Sequence, residues 1–308
     1  MNNKRLFFSF GRNWLDFVNH SLDDQKMEIA YNSLLKYLPA DEYKDKVFID
    51  IGCGSGIFSL SALRLGCKEV ISFDYDEYSI RATETMKEKF SSLIPGNARW
   101  NIFKGNILDN KLVESLNKKG DIVYSWGVLH HTGSMYEALR NTMTCVRPQG
   151  YLIIAIYNKA PYSDLWVKVK KTYNQSSRPM KLLYVYATLA WIYLERFIHV
   201  IKAVVKGEKR TDFKGNDDYR GMSFFYNIID WLGGFPYEYA SFDEVKTFVE
   251  NEGFDLVRAT VKWLSLSKEE YKRSVRFLGR FFYSYLSNYT GTNEFIFKRK
   301  TGRTNEQD

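Results

Sequence analysis

Through the centre of the chain, short apolar runs alternate with longer segments whose apolar residues recur every three or four positions. Runs at 47–51, 69–73, 100–103, 121–125 and 151–157 have strand length, and segments at 59–65, 79–90 and 135–146 have helical spacing. The runs lack polar alternation, as strands covered by helices on both sides do. Strands and helices alternating at this spacing predict βαβ units, hence an α/β fold with a doubly wound, mostly parallel sheet. Such sheets bind ligands at the carboxyl ends of their strands, so the loops after them are where chemistry is expected.

Past residue 158 the alternation stops. Residues 165–173 and 182–205 read as helices, the second with apolar residues at 182, 186, 189, 193, 197, 200 and 204. That stripe is expected to bury itself on the sheet domain. A helix over 241–252 follows, with Ser241 as N-cap, Glu244 at the capping-box position and Gly253 just past its end. Strand-like segments at 254–261 and 293–298 would complete the sheet. The expected organisation is an N-terminal helical segment (1–46), an α/β domain (47–158 with 241–300), a helical cap insert (159–240) and a disordered tail (301–308).

Charge changes this picture in one place. The 308 residues carry 44 Lys and Arg against 36 Asp and Glu. Residues 159–214 alone hold 12 cations and 4 acids, which accounts for the whole excess of +8. A uniformly basic nucleic-acid binder would not concentrate its charge this way. The insert interleaves Trp166, Tyr173, Tyr184, Tyr186, Trp191, Tyr193 and Phe197 with those cations. Three readings stay open for it: a cap helix, an amphipathic surface for anionic membrane, or a contact with an acidic substrate. Its nearly apolar run, 182–194, stops after 13 residues, short of the ~20 that span a bilayer. Three cysteines at no metal-ligand spacing and no signal-peptide core at the N-terminus point to a reducing, cytoplasmic home and no metal.

The chemistry lies in Phe48-Ile49-Asp50-Ile51-Gly52-Cys53-Gly54-Ser55-Gly56. Glycines between a strand and a helix let backbone approach a ligand closely. A dinucleotide fingerprint would need glycine at 57, where the chain has Ile57. Instead an acid stands two residues before the first glycine. Asp74, twenty residues after Gly54, ends the second strand, where a carboxylate can accept both hydroxyls of a ribose. The plainer readings are a tight turn and a helix cap. Strand, glycines, second strand and acid in this order favour the cofactor reading.

This order resembles the class I S-adenosylmethionine-dependent methyltransferases over 47–158. Further matches are Gly105-Asn106-Ile107-Leu108-Asp109, the segment from Gly120 to His131, and Arg147-Pro148-Gln149-Gly150. The resemblance implies a Rossmann-like methyltransferase fold and S-adenosylmethionine as cofactor, leaving as S-adenosylhomocysteine. Asp50, Gly52, Gly54 and Gly56 would face its methionine part, Asp74 the ribose, and Asn106 and Ile107 the adenine. It adds Trp14, Tyr75 and Ser125 to the cofactor set. Asn106 departs from the Asp more usual there, but its amide oxygen can still accept from the adenine amino group. Phe10 to Trp14, Tyr124 to Gly133, Ala155 to Asn158, Arg220 to Ser223, Asp230 to Glu238 and Thr292 to Phe295 are similar to a bacterial methyltransferase subfamily associated with surface-glycan or secondary-metabolite loci.

For the acceptor, His131 is the expected general base, since an ordinary imidazole pKa near 6.5 suits proton removal at neutral pH. The plainer alternative is a helix-capping or core histidine. His130, Tyr157, Arg220 and Glu238 are the expected acceptor residues, against a structural role for each. The expected function is methyl transfer to an oxygen, less readily a nitrogen, of a small-molecule or glycan-type acceptor, with no nucleic-acid partner favoured. The alternatives are an RNA methyltransferase and a non-catalytic binding protein of the same fold.

Overall fold

A computed structural model describes residues 8–159, 163–205, 224–260 and 291–301. The N-terminal segment is helical: α1 (Gly11–Asp16), a π turn (Phe17–Ser21) and α2 (Asp24–Tyr37). The alternating region follows as β1 (Val47–Ile51), α3 (Ile57–Arg64), β2 (Glu69–Asp74), α4 (Glu77–Lys89) and β3 (Arg99–Lys104). It continues through α5 (Asn110–Ser115), β4 (Gly120–Trp126), α6 (Met135–Cys145) and β5 (Val146–Tyr157). Helices α7 (Ser163–Gln175), α8 (Arg178–Val205), α9 (Phe224–Gly233) and α10 (Phe242–Asn251) come next, then β6 (Phe254–Thr260) and β7 (Thr292–Arg299).

Seven strands form one sheet in the order β3-β2-β1-β4-β5-β7-β6. The first five run parallel, and β7 lies antiparallel between β5 and β6. The fold is the α/β arrangement that the alternation predicts. Alternate strand residues go to opposite layers. Ile49, Ile51, Val123, Ile154 and Phe295 pack under α6 and α10, while Phe48, Ile122, Tyr124, Ile153 and Ile296 pack under α2 and α3. Ser241 and Glu244 form a full capping box at the start of α10. The Pro148-Gln149-Gly150 segment lies within β5 as an irregularity in its pairing with β4, with Gln149 at φ 62°.

The 220–238 stretch contains α9. One expectation for the insert needs correction. Of the stripe expected to bury itself on the body, Leu182, Tyr186 and Tyr193 face outward, 53%, 60% and 60% exposed, while Leu189 faces inward. The inward face is Val185 with Tyr184 and Leu189, packed against Tyr173, Ile228 and Leu232. Apolar periodicity identifies a face, but this helix is apolar on more than one. The side chains of Trp191 and Phe197, residues 206–223 and the tail from 302 lie outside the described residues.

Candidate active site

Helix α3 begins where β1 runs out, and the turn between them is built from glycines. Gly52, Gly54 and Gly56 all have left-handed backbone (φ 74°, 57° and 77°). A Cβ on Gly52 would sit 2.4 Å from the Val128 side chain, and one on Gly54 would sit 3.0 Å from the Trp14 ring. Only glycine fits such close approach at positive φ. Asp50 is buried in β1 and accepts a hydrogen bond from Ser59 Oγ at 2.5 Å. Ser59 meets Ser72 Oγ at 2.7 Å, and Trp100 Nε1 donates to that oxygen at 2.8 Å. A polar chain thus ties Asp50 in β1, through α3, to β2 and β3. The sequence reading missed Ser59, Ser72 and Trp100, which look like ordinary helix and strand residues.

Asp74 ends β2 with Oδ2 accepting from the Gly54 N–H at 3.1 Å and Oδ1 from the Asp76 N–H at 2.8 Å. Burial pushes its carboxyl up to about 6, against the pull of those N–H donors. Asp76, not Asp74, caps α4, accepting from the Tyr78 N–H. Gly105 N donates to the Asp74 carbonyl, which brings the Asn106 turn beside the acid. Asn106 Oδ1 already accepts from the Leu108 N–H at 3.0 Å. Its oxygen therefore shapes the turn and keeps a second lone pair for another donor. Ile107 is buried and its carbonyl accepts from Asn141 Nδ2 at 2.8 Å. Ser125 donates to the Ile51 carbonyl at 3.1 Å. Tyr75 is 58% exposed.

Helix α1 closes this side. Ser9 Oγ and the Gly11 N–H both donate to Asp76 Oδ2, at 2.6 and 3.1 Å. Trp14 lies against Gly54. Asn13 Nδ2 reaches across to Asp230 Oδ1 in α9 at 2.6 Å, and the Phe8 N–H donates to the Phe235 carbonyl. The N-terminal strap therefore touches the glycine loop, the acid loop and the cap.

The loop after β4 carries the histidines. His131 Nδ1 lies 2.6 Å from the Pro236 carbonyl. A carbonyl only accepts, so Nδ1 carries the proton and Nε2 keeps its lone pair. Burial pushes the imidazole down to about 3, which corrects the expected value near 6.5. The ring is neutral at pH 7 but a weak base. His130 is fully buried, and the Tyr157 N–H donates to its Nδ1 at 3.3 Å. Its Nε2 is then the protonated nitrogen, and it has no hydrogen-bond partner among the described residues. The two rings are 4.5 Å apart, and Tyr157 stands 4.0 Å from His130 and 5.5 Å from His131.

Glu238 adjoins the pair through its backbone, its N–H donating to the His130 carbonyl. Its carboxylate accepts from the Met135 N–H at 3.1 and 3.3 Å, at the start of α6. Arg220 lies outside the described residues. Lys170, which the sequence reading passed over, is fully buried in α7. It donates to the Trp231 carbonyl and lies 4.7 Å from the Trp231 ring centre and 4.9 Å from that of Tyr237. Burial brings Lys170 down to about 7 and Asp230 up to about 7. In the sequence Lys170 is four residues after Trp166 and three before Tyr173, on one helical face, but that spacing alone does not distinguish it from the solvated lysines beside it. Cys53, inside the glycine loop, is no nucleophile, because burial pushes its thiol well up.

On the α2 side of the strand ends lies a cavity of ≈ 400 Å³ lined by Tyr37, Phe58, Trp126, Arg258, Thr260 and Glu294. Tyr37 OH donates to Glu294 Oε2 at 3.0 Å.

A left-handed glycine cradle after β1, an anchored acid in β1 and a second acid at the end of β2 define a class I S-adenosylmethionine-dependent methyltransferase. A family model described as a methyltransferase domain matches residues 24–194, and the chain belongs to that family. It is 27% identical over 200 residues to a tRNA U34 carboxymethyltransferase of Helicobacter pylori, covering 61% of this chain and 73% of that protein. It is 34% identical over 119 residues to a ribosomal protein L11 methyltransferase of Haemophilus ducreyi, covering 38% and 36%. The magnesium protoporphyrin IX methyltransferase of Synechocystis PCC 6803, solved with bound SAH, shares the fold with a TM-score of 0.50 and 13% identity over 96% of both chains. The protein is an enzyme and S-adenosylmethionine is its cofactor.

The cradle fits that cofactor: it is free of side chains where a backbone must approach, and Asp74 presents a carboxylate beside it. When bound, the cofactor supplies a methyl group already activated by its sulfonium. What the chain must add is alignment and somewhere for the acceptor's proton to go.

Proposed function

We propose that this methyltransferase acts in the cytoplasm on a hydroxyl oxygen, less readily a nitrogen, of a small-molecule or glycan-type acceptor. In this reading the Asp50, glycine-loop, Asp74, Trp14, Tyr75, Asn106, Ile107 and Ser125 positions hold the cofactor. His131 takes up the acceptor's proton, and His130 and Tyr157 line the acceptor pocket. The carrying observation is the histidine pair. His130 offers a buried N–H with no acceptor among the described residues, and beside it His131 keeps an unprotonated Nε2. A hydroxyl complements both at once: it accepts from one nitrogen and donates to the other. The cationic insert over 159–214 would make peripheral contact with anionic membrane.

A second reading is methylation of RNA, favoured by the likeness to a tRNA-modifying enzyme. Against it stands the near-neutral charge of the sheet region, where an electrostatic footprint for RNA would be expected. One comparison decides between them. Glycans, small metabolites and digested tRNA from cells lacking the gene are compared by mass spectrometry with those from cells that have it. Loss of a methyl group from a glycan or metabolite supports the proposal. Loss from a tRNA nucleoside alone overturns it in favour of RNA.

A further inference from the structure

Helix α8 turns an apolar face to solvent. At 3.6 residues per turn, positions 179, 180, 182, 183, 186, 187, 190, 193 and 194 fall in one arc of about 160°, and all of them are exposed. The large side chains in it are Met180, Leu182, Leu183, Tyr186, Tyr193 and Leu194, each 45–60% exposed. The rest of the arc is Pro179, Ala187 and Ala190, so no polar residue interrupts it. A contiguous apolar patch of this size marks a binding surface rather than the scattered exposure of ordinary proteins.

The neighbouring charge says what binds there. From 165 to 194 the chain has no Asp or Glu and five cations. Lys168, Lys171 and Arg178 are exposed, and Lys181 is half-buried. A second copy is disfavoured as occupant: a two-fold interface would set this acid-free, cationic region against itself. Two tyrosines in the arc suit a boundary that is apolar on one side and wet on the other. No helix among the described residues is long and apolar enough to cross a membrane. We infer that the 179–194 arc of α8 lies flat in the interface of an anionic lipid bilayer, with the cations of α7 and the start of α8 on the headgroups. This rests on the peripheral-contact part of the proposed function and names the surface that makes the contact.

The test is co-sedimentation of the full chain with vesicles of phosphatidylcholine alone or with added phosphatidylglycerol, at low and high salt. Two variants accompany the wild type: Leu183→Asp with Tyr186→Asp, and Lys168→Glu with Lys171→Glu and Arg178→Glu. All these side chains are at the surface, so circular dichroism and affinity for S-adenosylhomocysteine should match wild type. The wild type should pellet with the anionic vesicles at low salt, and each variant should lose about tenfold in partitioning. Wild type in the supernatant under all four conditions overturns this inference and the peripheral-contact reading together. Vesicle binding that survives in the Leu183/Tyr186 variant overturns the α8 surface alone. A doubled mass in light scattering, reduced to single by that variant without change at vesicles, makes a second copy the occupant and also overturns it. The methyltransferase reading is checked separately by the S-adenosylhomocysteine titration.

Discussion

The backbone N–H of Gly54 donates to Oδ2 of Asp74 at 3.1 Å, so the middle glycine of the cradle and the acid of the second strand form one unit. Burial holds the Asp74 carboxyl up at about 6. Ribose hydroxyls donate best to the ionised form, so the cofactor binds the deprotonated protein preferentially. Affinity for S-adenosylhomocysteine should therefore rise about tenfold per pH unit below about 6 and level off above about 7. Calorimetry across this range checks it, and Asp74→Asn should bind weakly with a flat profile. A wild-type affinity independent of pH would count against Asp74 as the ribose acid.

Gly11→Ala should loosen the N-terminal strap. A Cβ there would lie 2.6 Å from Asp76 Oδ1 and from the Ser79 nitrogen, and backbone cannot give way as a flexible side chain can. We expect about a tenfold loss of S-adenosylhomocysteine affinity with native circular dichroism. Gly96→Ala, where nothing lies within 4 Å, is the control. Equal affinity in both variants would mean that the strap plays no part in binding.

Lys170 and Asp230 predict how stability follows pH. Below about pH 7 the folded protein holds a buried ammonium, and that cost fades as pH climbs from about 7 towards 10.5, where only the unfolded chain still holds the proton. Asp230 acts oppositely. Between 3.8 and about 7 the folded protein keeps a proton that the unfolded chain has lost, so stability falls as pH rises through that window. The pair is therefore most costly near pH 7. Lys170→Met with Asp230→Asn, which leaves an oxygen for Asn13, should raise Tm by several degrees near pH 7 and by less at about pH 5 and about pH 9. A uniform shift across pH would contradict this.

Glu238→Ala should lower Tm by a few degrees, about 1 kcal/mol, because the first turn of α6 loses the carboxylate on its Met135 N–H. Glu238→Gln keeps an acceptor oxygen and should lose much less. Cofactor affinity should not change in either. Thermal unfolding separates this from an acceptor-binding role, which would leave Tm unmoved.

The sheet was legible because its strands are buried on both faces and its turns are punctuated by glycines, so the order from Val47 to Tyr157 reads directly off the pattern. The two acids proposed to hold the cofactor were legible for a related reason: Asp50 and Asp74 are polar residues standing where a strand should be apolar or ending. The acceptor side was not. The working states of His130 and His131 depend on which carbonyl and which N–H meet each ring, and Pro236 and Tyr157 are 105 and 27 residues away. Lys170 was hidden by charge, since a lysine on a basic helix reads as solvated until its neighbours Trp231 and Tyr237, remote in sequence, are seen around it. The outward face of α8 was misread because a helix apolar nearly all round offers no polar side by which to orient it.

The chain's two described ends also differ in what they touch. Phe8 hydrogen-bonds the cap loop at Phe235, a few residues before the strap that covers the glycine cradle. Thr301 follows β7 at the amino ends of the parallel strands, where Gln149 Nε2 donates to its hydroxyl at 3.0 Å. An affinity tag or fluorescent fusion joined upstream of Phe8 would therefore sit close to the glycine cradle proposed to hold the cofactor, and should lower the measured affinity. One joined after Thr301 would leave from the far side of the molecule, the sounder design for every titration described above.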